Sequence, residues 1–147
     1  MYIERALEPL VRRYSENFKI VAVTGPRQVG KTTMLKHLME EEAESGVDRV
    51  YVTLDNTAIL QTAKEDPALF LQRYRPPVLI DEIQKAPELL PYIKMIVDER
   101  DDCGSVWITG SQPLHLMKAV SESLAGRVGI VEMLGLSHSE VAGTPSE

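Results

Sequence analysis

The chain has 147 residues, 44% of them hydrophobic and 26% charged, a composition typical of one globular domain and unlike that of a disordered, fibrous or collagen-like chain. Its formal net charge is −6. Proteins that bind nucleic acid mainly through their overall charge are usually basic, so this value argues against nucleic acid as a partner of this domain. Apolar runs such as Val78–Ile80 are far too short to span a bilayer, so we expect no membrane-spanning segment.

Apolar periodicity and chain breakers predict elements that alternate between helix and strand along the chain. Helices are predicted where apolar residues recur at helical spacing, at 3–15, Lys31–Glu44, Thr57–Lys64, Pro67–Tyr74, Pro87–Arg100 and Pro113–Leu124. Strands are predicted in short runs rich in apolar residues, at Lys19–Thr24, Arg49–Asp55, Val78–Asp81, Ser105–Thr109 and Arg127–Met133. This alternation predicts an α/β fold with a parallel sheet covered by helices on both faces, and the continuous apolar runs fit burial on both sides.

The segment between the first strand and the second helix, GPRQVGKTT, fits the phosphate-binding pattern G-x-x-x-x-G-K-[ST]. In that position backbone N–H groups of the loop and of the helix N-terminus converge on an anion, and the helix dipole favours negative charge. Gly25 and Gly30 allow the backbone angles and the close approach that this geometry requires. Lys31 can reach the β- and γ-phosphates, and the Thr32 hydroxyl can bind Mg²⁺. The residues assigned to the nucleotide are Gly25, Pro26, Arg27, Gln28, Val29, Gly30, Lys31, Thr32 and Thr33.

The third predicted strand ends in Asp81 and is followed by Glu82. In a parallel sheet its carboxyl end opens on the same edge as the phosphate-binding loop. We therefore assign Asp81 to Mg²⁺, directly or through water, and Glu82 to orienting and activating the attacking water. Adjacent carboxylates at a strand end can divide this work, because one faces the metal ion and the next faces the nucleophile.

Polar residues also follow the fourth predicted strand, which we expect between the strand that carries the loop and the acidic strand. Thr109, Ser111 and Gln112 all qualify to contact the γ-phosphate or the attacking water. The sequence leaves the choice among these residues open.

Four segments stand in order along the chain: GPRQVGKTT, VLIDEIQKAPELLPYIK, WITGSQ and SLAGR. Together they resemble the AAA-type P-loop ATPases of bacteria and archaea that carry a C-terminal domain of unknown function. The resemblance covers nearly the whole chain and implies a three-layer P-loop fold with five strands in the order 5-1-4-3-2. It also implies ATP or ADP with Mg²⁺ as ligands. Lys31 and Thr32 would bind nucleotide and Mg²⁺, Asp81 would be the metal-side acid and Glu82 the catalytic acid.

The same resemblance implies roles for residues outside the two main motifs. Ser111 or Gln112 would be the sensor of the γ-phosphate. Arg127 in SLAGR matches an arginine of the family, and its role is left open between a phosphate sensor and a finger to a neighbouring subunit. The second role would involve self-association. Family members usually continue into a further domain. We therefore expect an ATPase domain at 1–135 and a linker or the start of a truncated second domain at 136–147.

These observations favour an enzyme whose ATP hydrolysis drives a conformational change in an attached domain. One alternative is a nucleotide-binding switch that does not hydrolyse ATP. Another is a phosphotransferase, which uses the same loop but needs an acceptor pocket and a lid with arginines. The sequence contains no guanine-specificity motif, which favours adenine nucleotides. Cys103 is the only cysteine, which excludes an internal disulfide and fits a reducing, cytoplasmic setting.

Overall fold

The computed structural model describes residues 3–25, 31–111, 118 and 120–133. Its helices are α1 (Ile3–Asn17), α2 (Lys31–Glu44), α3 (Thr57–Glu65), α4 (Pro67–Arg73) and α5 (Leu89–Asp98). Its strands are β1 (Ile20–Thr24), β2 (Val50–Thr53), β3 (Val78–Asp81), β4 (Val106–Gly110) and β5 (Val128–Glu132). A short 3-10 helix covers Ile83–Lys85, and residues 118 and 120–123 are also helical. The elements alternate along the described residues much as the apolar pattern predicts.

The strands of the described residues form one parallel sheet in the order β2-β3-β4-β1-β5. This is the order 5-1-4-3-2 listed from the opposite edge, so the α/β fold expected from the sequence is confirmed. β4 lies between β1 and β3, also as expected. Because the strands run in one direction, their carboxyl ends meet at one edge, where open α/β sheets bind ligands.

Helices cover both faces of this sheet. Successive strand residues point to opposite sides, so apolar strands present apolar side chains on both faces, and each face packs against helices. In β1, Val21 and Val23 pack with α1 and α2, whereas Ile20 and Ala22 pack with α3, α4 and α5. β1, β3 and β4 are buried along their whole length, which explains why their sequences are apolar runs rather than alternating patterns. None of the helices in the described part of the chain is long and apolar enough to cross a membrane.

Some element boundaries differ from the sequence predictions. β2 covers Val50–Thr53 rather than Arg49–Asp55, because these four residues pair with β3. The helix expected at Pro87–Arg100 covers Leu89–Asp98. Of the helix expected at 113–124, residues 118 and 120–123 are helical, residue 124 lies past the helix, and the other positions are outside the described residues.

Candidate nucleotide and magnesium site

The loop assigned to phosphate binding leaves the sheet at the carboxyl end of β1. Gly25 has a φ of 153°, and a Cβ there would lie 2.4 Å from the carbonyl oxygen of Met133, so no side chain fits. The N–H of Gly25 donates to the Gly110 carbonyl at 3.2 Å, which ties the start of the loop to the end of β4. Residues 26–30, which carry Pro26, Arg27, Gln28, Val29 and Gly30, lie outside the described residues, and their assignment stays a prediction.

Lys31 is the first residue of α2 and is buried, with 5% of its surface exposed. Its ammonium donates to the carbonyl oxygen of Gly25 at 3.0 Å, across the two ends of the loop. The first turn of α2 carries no acidic residue, and Lys31 begins the helix at the positive end of its dipole. An anion at this helix N-terminus would interact favourably with both the dipole and the lysine. Thr33, also assigned to the nucleotide, is exposed on the first turn of α2.

Asp81 is buried at the end of β3 and accepts hydrogen bonds from side chains of neighbouring elements. The Thr32 hydroxyl of α2 donates to Asp81 Oδ1 at 3.0 Å, and the Thr109 hydroxyl of β4 donates to the same oxygen at 2.5 Å. The Tyr51 hydroxyl of β2 donates to Oδ2 at 3.0 Å. The structure therefore brings together Thr32 and Asp81, the pair that the sequence assigns to Mg²⁺.

Glu82 follows Asp81 directly but faces different partners. Its backbone has φ 63° and ψ 51°, a left-handed conformation that costs a residue with a side chain roughly 1–2 kcal/mol. Gln84 Nε2 donates to Glu82 Oε1 at 2.6 Å, and the Ser111 hydroxyl donates to the same oxygen at 3.1 Å. The two neighbouring carboxylates therefore have different hydrogen-bond partners, although their oxygens lie within 4.8 Å of each other, and the division of roles expected from the sequence stays a prediction.

The three polar residues considered as sensors have different positions. Thr109 is buried and contacts Asp81 through its hydroxyl, which also accepts the backbone N–H of Glu82 at 3.1 Å. Ser111 contacts Glu82 and also donates its N–H to Gln84 Oε1 at 3.4 Å. Gln112 lies outside the described residues, so its role stays a prediction.

Tyr51 is a site residue that the sequence analysis missed, since an aromatic residue within a strand suggests only core packing. Its ring is half-buried on the α1–α2 face, and Lys36 Nζ lies 4.3 Å from the ring centroid. Burial and the adjacent Asp81 carboxylate raise the pKa of the Tyr51 phenol to about 12, so the hydroxyl keeps its proton and donates it. Only the pairing of β2 with β3 brings this residue to the acidic strand.

Asp55 is a second residue that the sequence analysis did not assign to the site. It lies just beyond β2, and its carboxylate oxygens come within 4.8 Å of ligand atoms of Asp81 and Glu82. Lys85 Nζ pairs with Asp55 Oδ1 at 2.5 Å and offsets part of this negative charge. Three carboxylates, those of Asp55, Asp81 and Glu82, therefore lie close together at the carboxyl edge of the sheet.

Arg127 is not brought to this edge. It immediately precedes β5, and its carbonyl accepts the N–H of Ile20, the first residue of β1. The guanidinium forms a bidentate ion pair with Asp98 at 2.6 and 3.0 Å and also donates to the Ala125 carbonyl. Five residues of β1 separate the two edges by about 16 Å. Arg127 therefore lies far from Lys31 of its own chain, and a phosphate contact would have to be made with another copy.

The donor set at Asp81 fits Mg²⁺, which prefers hard oxygen ligands and commonly takes one or two carboxylates together with phosphate oxygens. The Thr32 hydroxyl and the Asp81 carboxylate already lie within hydrogen-bond distance of each other. A cation between them would need only a small separation of the two groups. Thr32 and Asp81 are thus the residues that would hold the ion.

Another group of metal-binding side-chain types lies between α1 and α2. Glu8, His37 and Glu41 have ligand atoms within 4.8 Å of one another. Arg12 already contributes a positive charge there, because its guanidinium pairs with both Glu8 and Glu41. This group is satisfied as an ion-pair network that ties the two helices together.

Comparisons with known proteins agree with the fold. A family model described as an AAA domain matches residues 17–142. An uncharacterized protein of Mycobacterium tuberculosis and one of Mycobacterium bovis are each 33% identical to this chain over 137 residues. Each match covers 93% of this chain and 30% of the relative, so the chain spans less than a third of the length of these relatives.

Two solved structures show the same fold at low sequence identity. AMPPCP-bound DnaA from Aquifex aeolicus has a TM-score of 0.62 at 15% identity, covering 96% of this chain and 50% of that chain. The DnaC helicase loader has a TM-score of 0.55 at 18% identity, covering 88% of each chain. The family model covers most of the sequence, and the parallel sheet has the strand order of P-loop proteins. This chain belongs to the AAA family and forms an AAA-type P-loop ATPase domain.

Proposed function

We propose that this chain binds ATP with Mg²⁺ and hydrolyses it. The contact between Thr32 and Asp81 is the observation that carries the proposal, because it joins the phosphate-binding helix to the acidic strand. A hydroxyl and a carboxylate in contact at a helix N-terminus, beside a buried lysine, fit a triphosphate with its divalent cation. Nucleotide binding is what the AAA fold implies, and hydrolysis is the further step proposed here.

Each residue has a distinct task in this proposal. Lys31 and the N-terminus of α2 bind the phosphates, and Thr32 and Asp81 hold Mg²⁺. When bound, Mg²⁺ offsets the negative charge on the β- and γ-phosphate oxygens. Glu82 accepts a proton from water as the water oxygen bonds to the γ-phosphorus. The bond between that phosphorus and the bridging oxygen breaks, and the products are ADP and inorganic phosphate.

Coupling to an attached domain would pass through the contacts of Glu82. Gln84 belongs to the 3-10 helix after β3, and Ser111 follows β4, so Glu82 connects two separate segments of the chain. Loss of the γ-phosphate would change the position of Glu82 and with it both contacts. The relatives extend well beyond the region they share with this chain, which leaves room for a domain that such a change would move.

A switch that binds nucleotide without hydrolysing it is the second candidate. The observation in its favour is that Glu82 Oε1 is already engaged by Gln84 and Ser111, which competes with activation of water. A phosphotransferase is less well supported. It needs arginines near the transferred phosphate, and Arg127 lies at the opposite edge of the sheet.

Calorimetric titration of this chain with ATP, ADP, GTP and GDP, with Mg²⁺ or with EDTA, tests the binding step. We expect ATP and ADP to bind more tightly than GTP and GDP. Lys31→Ala should weaken ATP binding while leaving thermal stability intact, and Lys94→Ala, on the exposed side of α5, is the charge-matched control. Asp81→Asn should weaken the part of the ATP affinity that depends on Mg²⁺.

Phosphate release separates the two candidate functions. Release of inorganic phosphate from ATP that requires both Mg²⁺ and Glu82 supports the ATP-hydrolysing function. Binding of ATP without release, at low and at high chain concentration, supports the switch. Equal ATP affinities for the wild type and Lys31→Ala would contradict both candidates.

A further inference from the structure

Tyr51 reaches from β2 to the acidic strand and has no task in the proposed function. In the sheet it pairs with Leu79, two residues before Asp81. Two strand residues span about 6.6 Å, which a tyrosine side chain can bridge and a valine or threonine cannot. Residues 79 and 81 share one face of β3, so the phenol leans along this face until its hydroxyl meets Asp81 Oδ2 at 3.0 Å.

The two oxygens of Asp81 have different partners. Oδ1 accepts from Thr32 and Thr109, whereas Oδ2 accepts from Tyr51. The terminal torsion of an aspartate is broad and roughly two-fold, so contacts to one oxygen leave the carboxylate able to pivot about that oxygen. A donor on the second oxygen fixes the plane of the group. Tyr51 therefore supplies the contact that the other two hydroxyls cannot supply.

The ring of Tyr51 is itself held in place by α2. Lys36 Nζ lies 4.3 Å from the ring centroid, a cation–π contact. Lys36 is four residues after Thr32, so both side chains lie on one side of α2. Helix α2 thus carries Thr32, which contacts Asp81 Oδ1, and Lys36, which contacts the ring of Tyr51. Thr32, Tyr51 and Asp81 are therefore linked through one helix and one carboxylate.

We propose that Tyr51 is a positioning residue for the Mg²⁺ site: it holds the Asp81 carboxylate in the orientation that directs Oδ1 toward Thr32. It acts through Asp81 and not on the nucleotide. The proposal rests on the proposed function, because it takes Asp81 as the metal-side carboxylate. Hydrogen-bond partners of metal ligands typically change metal affinity by 10–100-fold, so loss of this hydroxyl weakens Mg²⁺ binding by roughly tenfold.

Tyr51→Phe tests this role because it removes the hydroxyl and keeps the ring and its contact with Lys36. ATP affinity is titrated against Mg²⁺ and, separately, in EDTA. We expect the half-saturating Mg²⁺ concentration to rise roughly tenfold and the affinity in EDTA to stay at the wild-type value. Tyr92→Phe is the matched control, since it removes an exposed phenol hydroxyl on α5, and it should match the wild type in both titrations.

A second measurement requires no nucleotide. In the metal-free chain, the carboxyl ¹³C resonance of Asp81 should shift in Tyr51→Phe and stay in place in Tyr92→Phe. An unchanged resonance, an unchanged Mg²⁺ requirement, or an equal loss of ATP affinity in EDTA would each overturn the positioning role. Failure of the wild type to bind any nucleotide would instead overturn the proposed function, while the resonance would still report whether Tyr51 orients Asp81.

Discussion

The hydroxyl of Thr109 lies 2.5 Å from Asp81 Oδ1 and joins β4 to β3 at the edge that holds the candidate site. The same hydroxyl accepts the backbone N–H of Glu82 at 3.1 Å. Thr109 is completely buried, so water cannot replace either contact. One threonine therefore positions both acidic residues, donating its proton to the first and accepting a proton from the backbone of the second.

Thr109→Val should destabilise the chain because it keeps the side-chain shape and removes both contacts. The N–H of Glu82 would lose its partner in a buried position, which costs about 1–3 kcal/mol. Urea unfolding monitored by the single tryptophan, Trp107, measures this loss. Thr109→Ser keeps the hydroxyl and should retain more of the stability than Thr109→Val.

Thr24→Val is the matched control for this change. Thr24 is also buried at a strand end, but its hydroxyl has no hydrogen-bond partner among the residues that the structure describes. The same isosteric substitution should therefore leave the free energy of unfolding nearly unchanged. Equal destabilisation by Thr24→Val and Thr109→Val would show that the two contacts of Thr109 are not the cause.

The sheet, and the placement of Thr32 beside Asp81, could be predicted from the sequence because their signals are local. Continuous apolar runs identified the buried strands, and the GKT and DE segments are short motifs at strand ends. The position of Arg127 at the amino edge was not predicted, although this residue opens the fifth predicted strand. The left-handed turn at Glu82 has no such signal, because a glutamate rarely adopts it and only the surrounding contacts hold it there.

Tyr51 and Arg49 show what local patterns miss. The sequence pattern predicts both only as residues of the second strand. The Tyr51 hydroxyl meets Asp81 only because β2 pairs with β3 in one register, a long-range property that no local pattern contains. The burial of Arg49 depends on Glu42 from the end of α2 and on Trp107 from β4, which are likewise brought together only by the fold.

Glu82→Gln should separate binding from chemistry. The amide keeps the size of the side chain and its ability to accept a hydrogen bond, but it cannot accept a proton from water. Interactions that matter only in the transition state affect turnover and not ground-state binding. We expect Mg²⁺-dependent ATP affinity within a few-fold of the wild type and turnover reduced by roughly 10²-fold or more. Glu44→Gln, exposed at the end of α2, is the control, and a wild-type rate in Glu82→Gln would contradict the mechanism.

Arg127→Ala tests action on a neighbouring subunit. Because Arg127 lies at the amino edge, we expect its loss to leave ATP binding by a single chain unchanged. If it completes the site of a neighbour, turnover should fall by roughly 10³-fold, the smaller effect seen for arginine fingers. Mixing Arg127→Ala with Lys31→Ala should restore activity, since one chain supplies the intact site and the other the arginine. Failure of this mixture to recover activity would contradict a role between subunits.

Arg49 should contribute strongly to stability at the amino edge. Its side chain is buried and forms a bidentate ion pair with Glu42 at 2.8 and 2.9 Å. It also donates to the Gly104 carbonyl at 2.7 Å and stacks over Trp107 at 3.8 Å. Removing one partner of a buried pair costs 3–5 kcal/mol, and Glu42 is partly exposed, so we expect about 3 kcal/mol for Arg49→Met.

An exposed ion pair provides the comparison for Arg49. Lys64 and Glu88 lie 3.2 Å apart, with more than 40% of each side chain exposed. Lys64→Met should therefore change the free energy of unfolding by about 1 kcal/mol or less. Urea unfolding of both variants measures the difference, and similar values would show that the burial of Arg49 adds little.

Alkaline titration of the phenols tests the environment of Tyr51, whose pKa is raised to about 12 by burial and by Asp81. At pH 11 a phenol with this pKa is about one tenth ionised, whereas an unshifted phenol of pKa 10 is about nine tenths ionised. The absorbance difference between the wild type and Tyr51→Phe, without nucleotide or metal, should therefore show little phenolate at that pH.

The same shift makes the stability of the chain depend on pH. Because the folded pKa of Tyr51 lies above the unfolded value, the stabilising effect of Tyr51 is fully present below pH 10 and is lost as the pH rises toward 12. The difference in unfolding free energy between the two chains should shrink across this range, and a fully ionised Tyr51 in the folded chain at pH 11 would contradict its hydrogen bond to Asp81.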